Sequence, residues 1–113
     1  MALGGYGRVA LVTTTGRVSR RRRTVAVGFV DEPDGSVLVS ATDAATAWGR
    51  NLLADPICEV VIGDRRFEAW AEPLERPDHI RAVRELILRY GTPSEGLGRG
   101  PSFRLRPVAG QPA

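Results

Sequence analysis

The sequence predicts a mainly β (α+β) fold, a small six-stranded antiparallel barrel with two helices on its rim. Short β-branched runs recur along the 113 residues, turn residues punctuate them at close intervals, and only two stretches carry helical periodicity. A chain of this length buries roughly two-thirds of its unfolded surface, enough for one core. One domain over residues 1–113 is therefore expected, with its core at about 8–107 and no internal repeat or linker.

Residues 8–15, RVALVTTT, are rich in β-branched side chains and stop at Gly16, which makes a first strand. Residues 22–30, RRTVAVGFV, place Val25, Val27 and Phe29 on one face and Thr24, Ala26 and Gly28 on the other, the period-two pattern of a half-buried second strand. Arg17 to Arg21 then form the tip of a hairpin. Residues 31–35, DEPDG, are dense in turn formers, and residues 36–41, SVLVSA, follow as a third strand.

Thr42 or Asp43 is placed to cap a short helix over about 44–54 that ends at Asp55-Pro56, with Trp48 and Leu52 on its inner face. Residues 57–62 and 66–72 form two strands joined by Gly63, Asp64 and Arg65. In the second of them Phe67, Ala69 and Ala71 face one way and Glu68, Trp70 and Glu72 the other. A longer helix runs over 77–90, with Pro77 in its first turn, Gly91 at its end, and a stripe of Ile80, Val83, Ile87 and Tyr90 with Leu86 beside it. A Gly- and Pro-rich loop, 92–101, leads to a last strand, 102–107, with Phe103 and Leu105 inward.

Cys58 is the only cysteine, so no intrachain disulfide is expected, and the apolar run 9–12 is too short for a signal-peptide core or a membrane span. A cytoplasmic protein is expected. A core this small favours a homodimer that shares apolar surface. Cys58 opens a buried-looking strand and reads as a packed thiol, and His79, next to Asp78 in a helix's first turn, reads as a surface residue. One His and one Cys cannot build a metal site, so none is expected.

Charge is distributed unevenly. All 16 basic residues are arginine, a usage that coding bias explains as readily as physics. Residues 1–30 hold six of them and no acid, which leaves +6 there and −3 over the remainder. The cluster Arg17 to Arg23 is consistent with a solvated tip or with an anionic partner, such as a phosphorylated cofactor or nucleic acid. Single-strand sites interleave aromatic side chains with the basic groove, and the nearest here are Tyr6 and Phe29, so nucleic acid is the weaker reading.

The segment 10–27, ALVTTTGRVSRRRRTVAV, resembles the opening hairpin of the deazaflavin (F420)-dependent nitroreductase and quinone reductase family, in which a TTTGRxSG pattern precedes a basic strand. Ser40, Trp48, Asn51, Leu52, the stop at 54–56, the strand pair 57–72 and the RELILRYG helix follow in the family's order, so the resemblance covers about 8–107. It implies a split β-barrel and an F420H2-dependent oxidoreductase that passes a hydride to a quinone, nitro compound or similar small-molecule electron acceptor. It also implies that the coenzyme's phosphodiester and glutamate tail lie against Arg17, Ser19, Arg21 and Arg23. Thr24, Val25, Ala26, Val27, Val39, Ser40, Ala41, Trp48 and Asn51 would border the phosphate, ribityl chain and ring. Bidentate arginine chemistry suits such a tail independently of the resemblance.

This sequence departs from the family pattern at several points. Relatives usually carry glycine at the position of Arg20, proline at those of Arg22 and Ala26, and Lys-Gly-Gly after the serine at Ser40. The family's tyrosine-rich acceptor segment is replaced by 92–101. Hydride chemistry needs no protein nucleophile or general base, so no catalytic side chain is expected. The alternative is a non-catalytic split-barrel module that binds FMN, haem or a lipid.

Overall fold

A computed structural model describes residues 9–41, 46–90 and 99–108. In chain order its elements are β1 (Ala10–Thr15), β2 (Arg22–Val27), β3 (Val30–Asp31), β4 (Val37–Ser40), α1 (Ala47–Ala54), β5 (Ile57–Ile62), β6 (Arg65–Pro73), α2 (Arg76–Tyr90) and β7 (Ser102–Pro107). All strands join one antiparallel sheet in the order β2-β1-β5-β6-β7-β4-β3.

The strand expected over 22–30 is divided, which makes seven strands where six were predicted. Its first part pairs with β1 from Thr15–Arg22 to Ala10–Val27, and its second pairs with β4 at Val30–Leu38 and Asp31–Val37. These halves are the two opposite edges of the sheet, yet only Gly28 and Phe29 separate them in the chain. The sheet must therefore curl until its edges meet. Beyond this bend β2 and β4 have no ladder between them, so the barrel is closed at one end of the seam and open along β2.

Alternation along β5 and β6 sends Cys58, Val60, Ile62, Phe67, Ala69 and Ala71 inward, where they meet Val12, Val37, Val39, Phe103 and Leu105. β4 is buried at all four positions because it is covered on both faces. Val37 and Val39 point into the barrel, whereas Leu38 belongs to a second cluster with Val30, Ala82 and Leu86 beneath α2. The seam of α2 thus runs through Ala82 and Leu86, with Ile80 45% exposed at the margin of the predicted stripe. A small residue at the contact lets the helix approach Leu38 closely.

α1 begins later than predicted. Thr46 stands at its N-terminus without a side-chain cap bond, and Thr42 and Asp43 lie outside the described residues, as does Gly91. Most of the loop 92–101 lies outside them as well. No described helix is long and apolar enough to cross a membrane.

Candidate functional site

The hairpin tip between β1 and β2 is a tight structure built on Gly16. Its N–H donates to the carbonyl of Arg21 at 2.8 Å, and the Arg20 N–H donates to the Gly16 carbonyl at 2.9 Å. A Cβ on Gly16 would stand 2.7 Å from Ser19 Oγ, so no larger residue fits this tip unless Ser19 moves. Ser19 Oγ accepts the Arg21 N–H at 3.2 Å. Arg20 occupies the left-handed region at φ 62°, the position where glycine was expected from the resemblance.

α1 anchors that tip through one buried side chain. Asn51, 4% exposed, accepts at Oδ1 both the backbone N–H of Arg17 (3.2 Å) and its Nη1–H (2.9 Å), and donates from Nδ2 to Thr14 Oγ1 at 3.2 Å. All of the amide's heavy polar atoms are engaged within the protein. Asn51 therefore positions the arginine hairpin, and Arg17 is oriented by it. Trp48, half-buried one turn before, tilts against Phe103 with ring centroids 6.2 Å apart, so one part of the indole is core and the rest borders the outside.

Arg21, Arg22 and Arg23 are exposed, and among the described residues none has an acidic partner. Arg20 reaches Asp55 only at 3.9 Å. Arg21, Arg22 and Arg23 thus lie along the free edge of β2 with no ion pair among the described residues. Thr24 and Ala26 are exposed on that strand, while Val25 and Val27 lean on the barrel core. Val39 points into the core and is fully buried, so its side chain faces away from any outside ligand.

Ser40 and Ala41 end β4 where it parts from β2. Ser40, 9% exposed, alternates to the helix-facing side, and its Oγ lies 2.9 Å from Ser102 Oγ on β7. Ser102 in turn lies 2.6 Å from His79 Nδ1 on α2. The expected surface histidine is therefore half-buried and joined to the barrel. Asp78 precedes it in the first turn of the helix, but its partner lies across the fold. Cys58 sits at 1% exposure in β5, and burial pushes its thiol up to about 12. Among the described residues no three His, Cys, Asp or Glu side chains converge as a metal site would need.

Acidic groups cluster elsewhere. Glu32, next to β3, meets Arg81 of α2 at 2.7 Å and Arg104 of β7 at 3.1 Å, and Arg104 also lies 3.8 Å from Asp78. The Arg81 hydrogen bond, opposed by burial and aided by Arg104, holds the Glu32 carboxyl below the usual carboxylate range. This network ties α2 to β7 and the β3–β4 turn.

The model of the F420H(2)-dependent quinone reductase family matches residues 3–94. F420H(2)-dependent quinone reductases of Mycobacterium tuberculosis strains H37Rv and CDC 1551 are 29% identical over 76 residues, covering 63% of this chain and 51% of each relative. The chain thus spans about half the length of the curated relatives it matches. Among solved structures, an F420-H2 dependent reductase, FDR-A, superposes with a TM-score of 0.62 at 22% identity, over 87% of this chain and 93% of that one. HutZ, the heme storage protein of Vibrio cholerae, does so at 0.66 and 19% identity, over 90% and 82%. These likenesses show the split-barrel fold.

Proposed function

This chain belongs to the F420H(2)-dependent quinone reductase family, and from that premise we propose that it binds coenzyme F420 and passes a hydride from its reduced form to a quinone or similar acceptor. The observation that carries the reading is the row Arg21, Arg22, Arg23 at the open edge of the barrel, exposed and without acidic partners among the described residues. Planar guanidinium groups grip phosphate and carboxylate in pairs of hydrogen bonds. The residues present suit a phosphodiester with an anionic tail, with Ser19 able to donate its hydroxyl.

When bound, the coenzyme supplies the hydride. The protein's part is to bind, orient and shield. Asn51 holds the hairpin at a set height above α1 through Arg17, so the arginines present a fixed surface. Thr24 and Ala26 leave one face of β2 uncovered along the open seam, and the exposed part of Trp48 stands at its α1 side. Val39 would act from beneath, as core that shapes the floor. No metal or nucleophile enters this scheme.

Titration of the purified protein with oxidised F420, FMN and haem, followed by coenzyme fluorescence or absorbance, tests the proposal. F420 should bind most tightly at low salt and weaken as salt rises. Turnover of reduced F420 with a quinone should follow. Tight binding of FMN or haem with none of F420 would favour the non-catalytic module instead. Nitro compounds and homodimer formation are secondary expectations that the same preparation can check by acceptor assays and light scattering.

A further inference from the structure

Two hollows flank the start of α2, and charge is sorted between them. Among the described residues, one of about 440 Å³ is lined by Glu72, Glu75 and Asp78 and by no base. The other, of about 390 Å³, is lined among them by Arg76, Arg99 and His79 and by no acid, and Leu74 borders both. On the acidic side neighbouring arginines meet the carboxylates: Arg104 lies 3.7 Å from Glu72 and 3.8 Å from Asp78, and Arg106 lies 3.2 Å from Glu72. On the basic side Arg76 and Arg99 are exposed and have no ion-pair partner among the described residues.

We propose that the basic hollow is a binding site for a phosphate group, free or esterified to a small metabolite. Its residues come from the turn after β6, from α2 and from the run into β7, none of them from the arginine hairpin, so it stands independently of the coenzyme reading. Two guanidinium groups on one recess repel each other until an anion lies between them, and low-dielectric walls focus their field. Their planar donors match phosphate oxygens in pairs of short, directional hydrogen bonds. The volume is near the lower end of the roughly 300–1,000 Å³ usual for small-molecule sites, which limits the ligand to a small one. Leu74 and Pro101 supply apolar wall for its carbon part.

The wall of the hollow is held in place by the fold. Ser102, 2% exposed, has its hydroxyl hydrogen on Ser40 Oγ at 2.9 Å and its oxygen 2.6 Å from His79 Nδ1, which ties β4, β7 and α2 together there. The Leu74 N–H donates to the Ser102 carbonyl at 2.9 Å, and the Ala41 N–H to the Pro101 carbonyl at 2.9 Å. Because the Ser102 hydrogen is engaged, that serine shapes the wall, and Arg76 and Arg99 supply the donors. A wall fixed in advance leaves only those two side chains to be ordered by the ligand, which lowers the cost of binding.

His79 is the only histidine and lines the hollow, so its ring signals in protein labelled with 15N-histidine report occupancy of this site at fixed pH. Glycerol 3-phosphate and inorganic phosphate, each titrated at pH 8 with ionic strength held constant by sodium chloride, should shift those signals saturably, with a Kd of about 1 mM or tighter. Tighter binding of the ester marks a phosphorylated metabolite as the ligand, and equal or tighter binding of the inorganic ion marks free phosphate. Arg76→Gln and Arg99→Gln, at exposed positions, should each weaken binding about tenfold while Tm stays that of the parent. Signals that do not move, that drift without saturating, or that respond equally in both glutamine variants would overturn the site. Saturation by succinate but by neither phosphate would overturn phosphate as its ligand. Displacement of glycerol 3-phosphate by saturating oxidised F420 would give the hollow to the coenzyme's own phosphate and overturn a separate site.

Discussion

The ring of Tyr90 occupies the space that a side chain at Gly28 would need: a Cβ built there would lie 2.9 Å from Tyr90 Cε2. The same tyrosine accepts the Phe29 N–H at its hydroxyl, at 3.1 Å. The end of α2 thus clasps the two-residue bend that joins the two edges of the sheet. Gly28→Ala should destabilise by about 1–3 kcal/mol, since it overpacks a filled site, and Tyr90→Phe by about 1 kcal/mol for the lost hydrogen bond. In a double-mutant cycle read by urea denaturation, Tyr90→Ala should remove much of the Gly28→Ala penalty. Strict additivity would mean that the ring does not seal the bend.

Arg20 holds a left-handed φ of 62°, and among the described residues its side chain has one long ion-pair contact, with Asp55 at 3.9 Å. A non-glycine residue there costs about 1–2 kcal/mol, part of which glycine gives back as extra freedom in the unfolded chain. Arg20→Gly should stabilise by about 0.5–1 kcal/mol, seen as a raised Tm. A lower Tm would show that the Asp55 contact outweighs the backbone strain.

Much of this fold is legible in the sequence where the signal is local. The facing of Phe67, Ala69 and Ala71 against Glu68, Trp70 and Glu72 follows from period two alone, and the structure has it so. The break at Gly28 and Phe29 is not legible, because the tyrosine that clasps it lies 61 residues beyond Phe29. The seam of α2 keeps Leu86 and Tyr90 of the predicted face but adds Ala82 in place of the exposed Ile80, because close approach to Leu38 favours a small residue, which hydrophobic periodicity underweights. His79 has its partner 23 residues on, so no window around it shows that it is tied to the barrel. The arginine hairpin is visible as charge, whereas its anchoring on Asn51 requires knowing that α1 lies beneath it.

Cys58 illustrates a buried group with a clear pH signature. Its thiol is raised from 9.0 to about 12, mainly by burial. A raised folded value means that this contribution to stability is whole below about 9 and is lost as pH rises from there towards 12. Native protein at pH 8 should react with a thiol reagent at least a hundredfold more slowly than protein in urea. Comparable rates would place the thiol at the surface.

Glu32 has the opposite sign. Arg81 first, then Arg104, hold its carboxyl below the usual 4.5, so the stabilisation is present above that pH and is lost as pH falls through the folded value. Glu32→Gln should destabilise by about 1–2 kcal/mol at pH 7, the order of a hydrogen bond to a charged group. It should also flatten the decline of the urea midpoint between pH 5 and 3. An unaltered slope would assign acid sensitivity to other carboxylates, such as Asp34.

Arg23 and Asn51 separate binding from support at the same hairpin. Arg23 is exposed on β2 and has no ion-pair partner among the described residues, so Arg23→Ala should leave Tm within a degree or two. It should nonetheless weaken oxidised F420 by about 1.5–3 kcal/mol, the range for a lost charge-assisted hydrogen bond, and reduce the salt dependence of binding. Asn51 is buried and bonds to Arg17 and Thr14, so Asn51→Leu leaves the Arg17 N–H and the Thr14 hydroxyl without their partner. That variant should lose about 1–3 kcal/mol of stability and weaken the coenzyme as well, because the arginines it sets in place become free to move. Paired measurement of Tm and F420 dissociation constant distinguishes the two. If Arg23→Ala binds F420 as the parent does at low ionic strength, the β2 edge is not where the anionic tail lies, and the exposed arginines of the hairpin serve another partner.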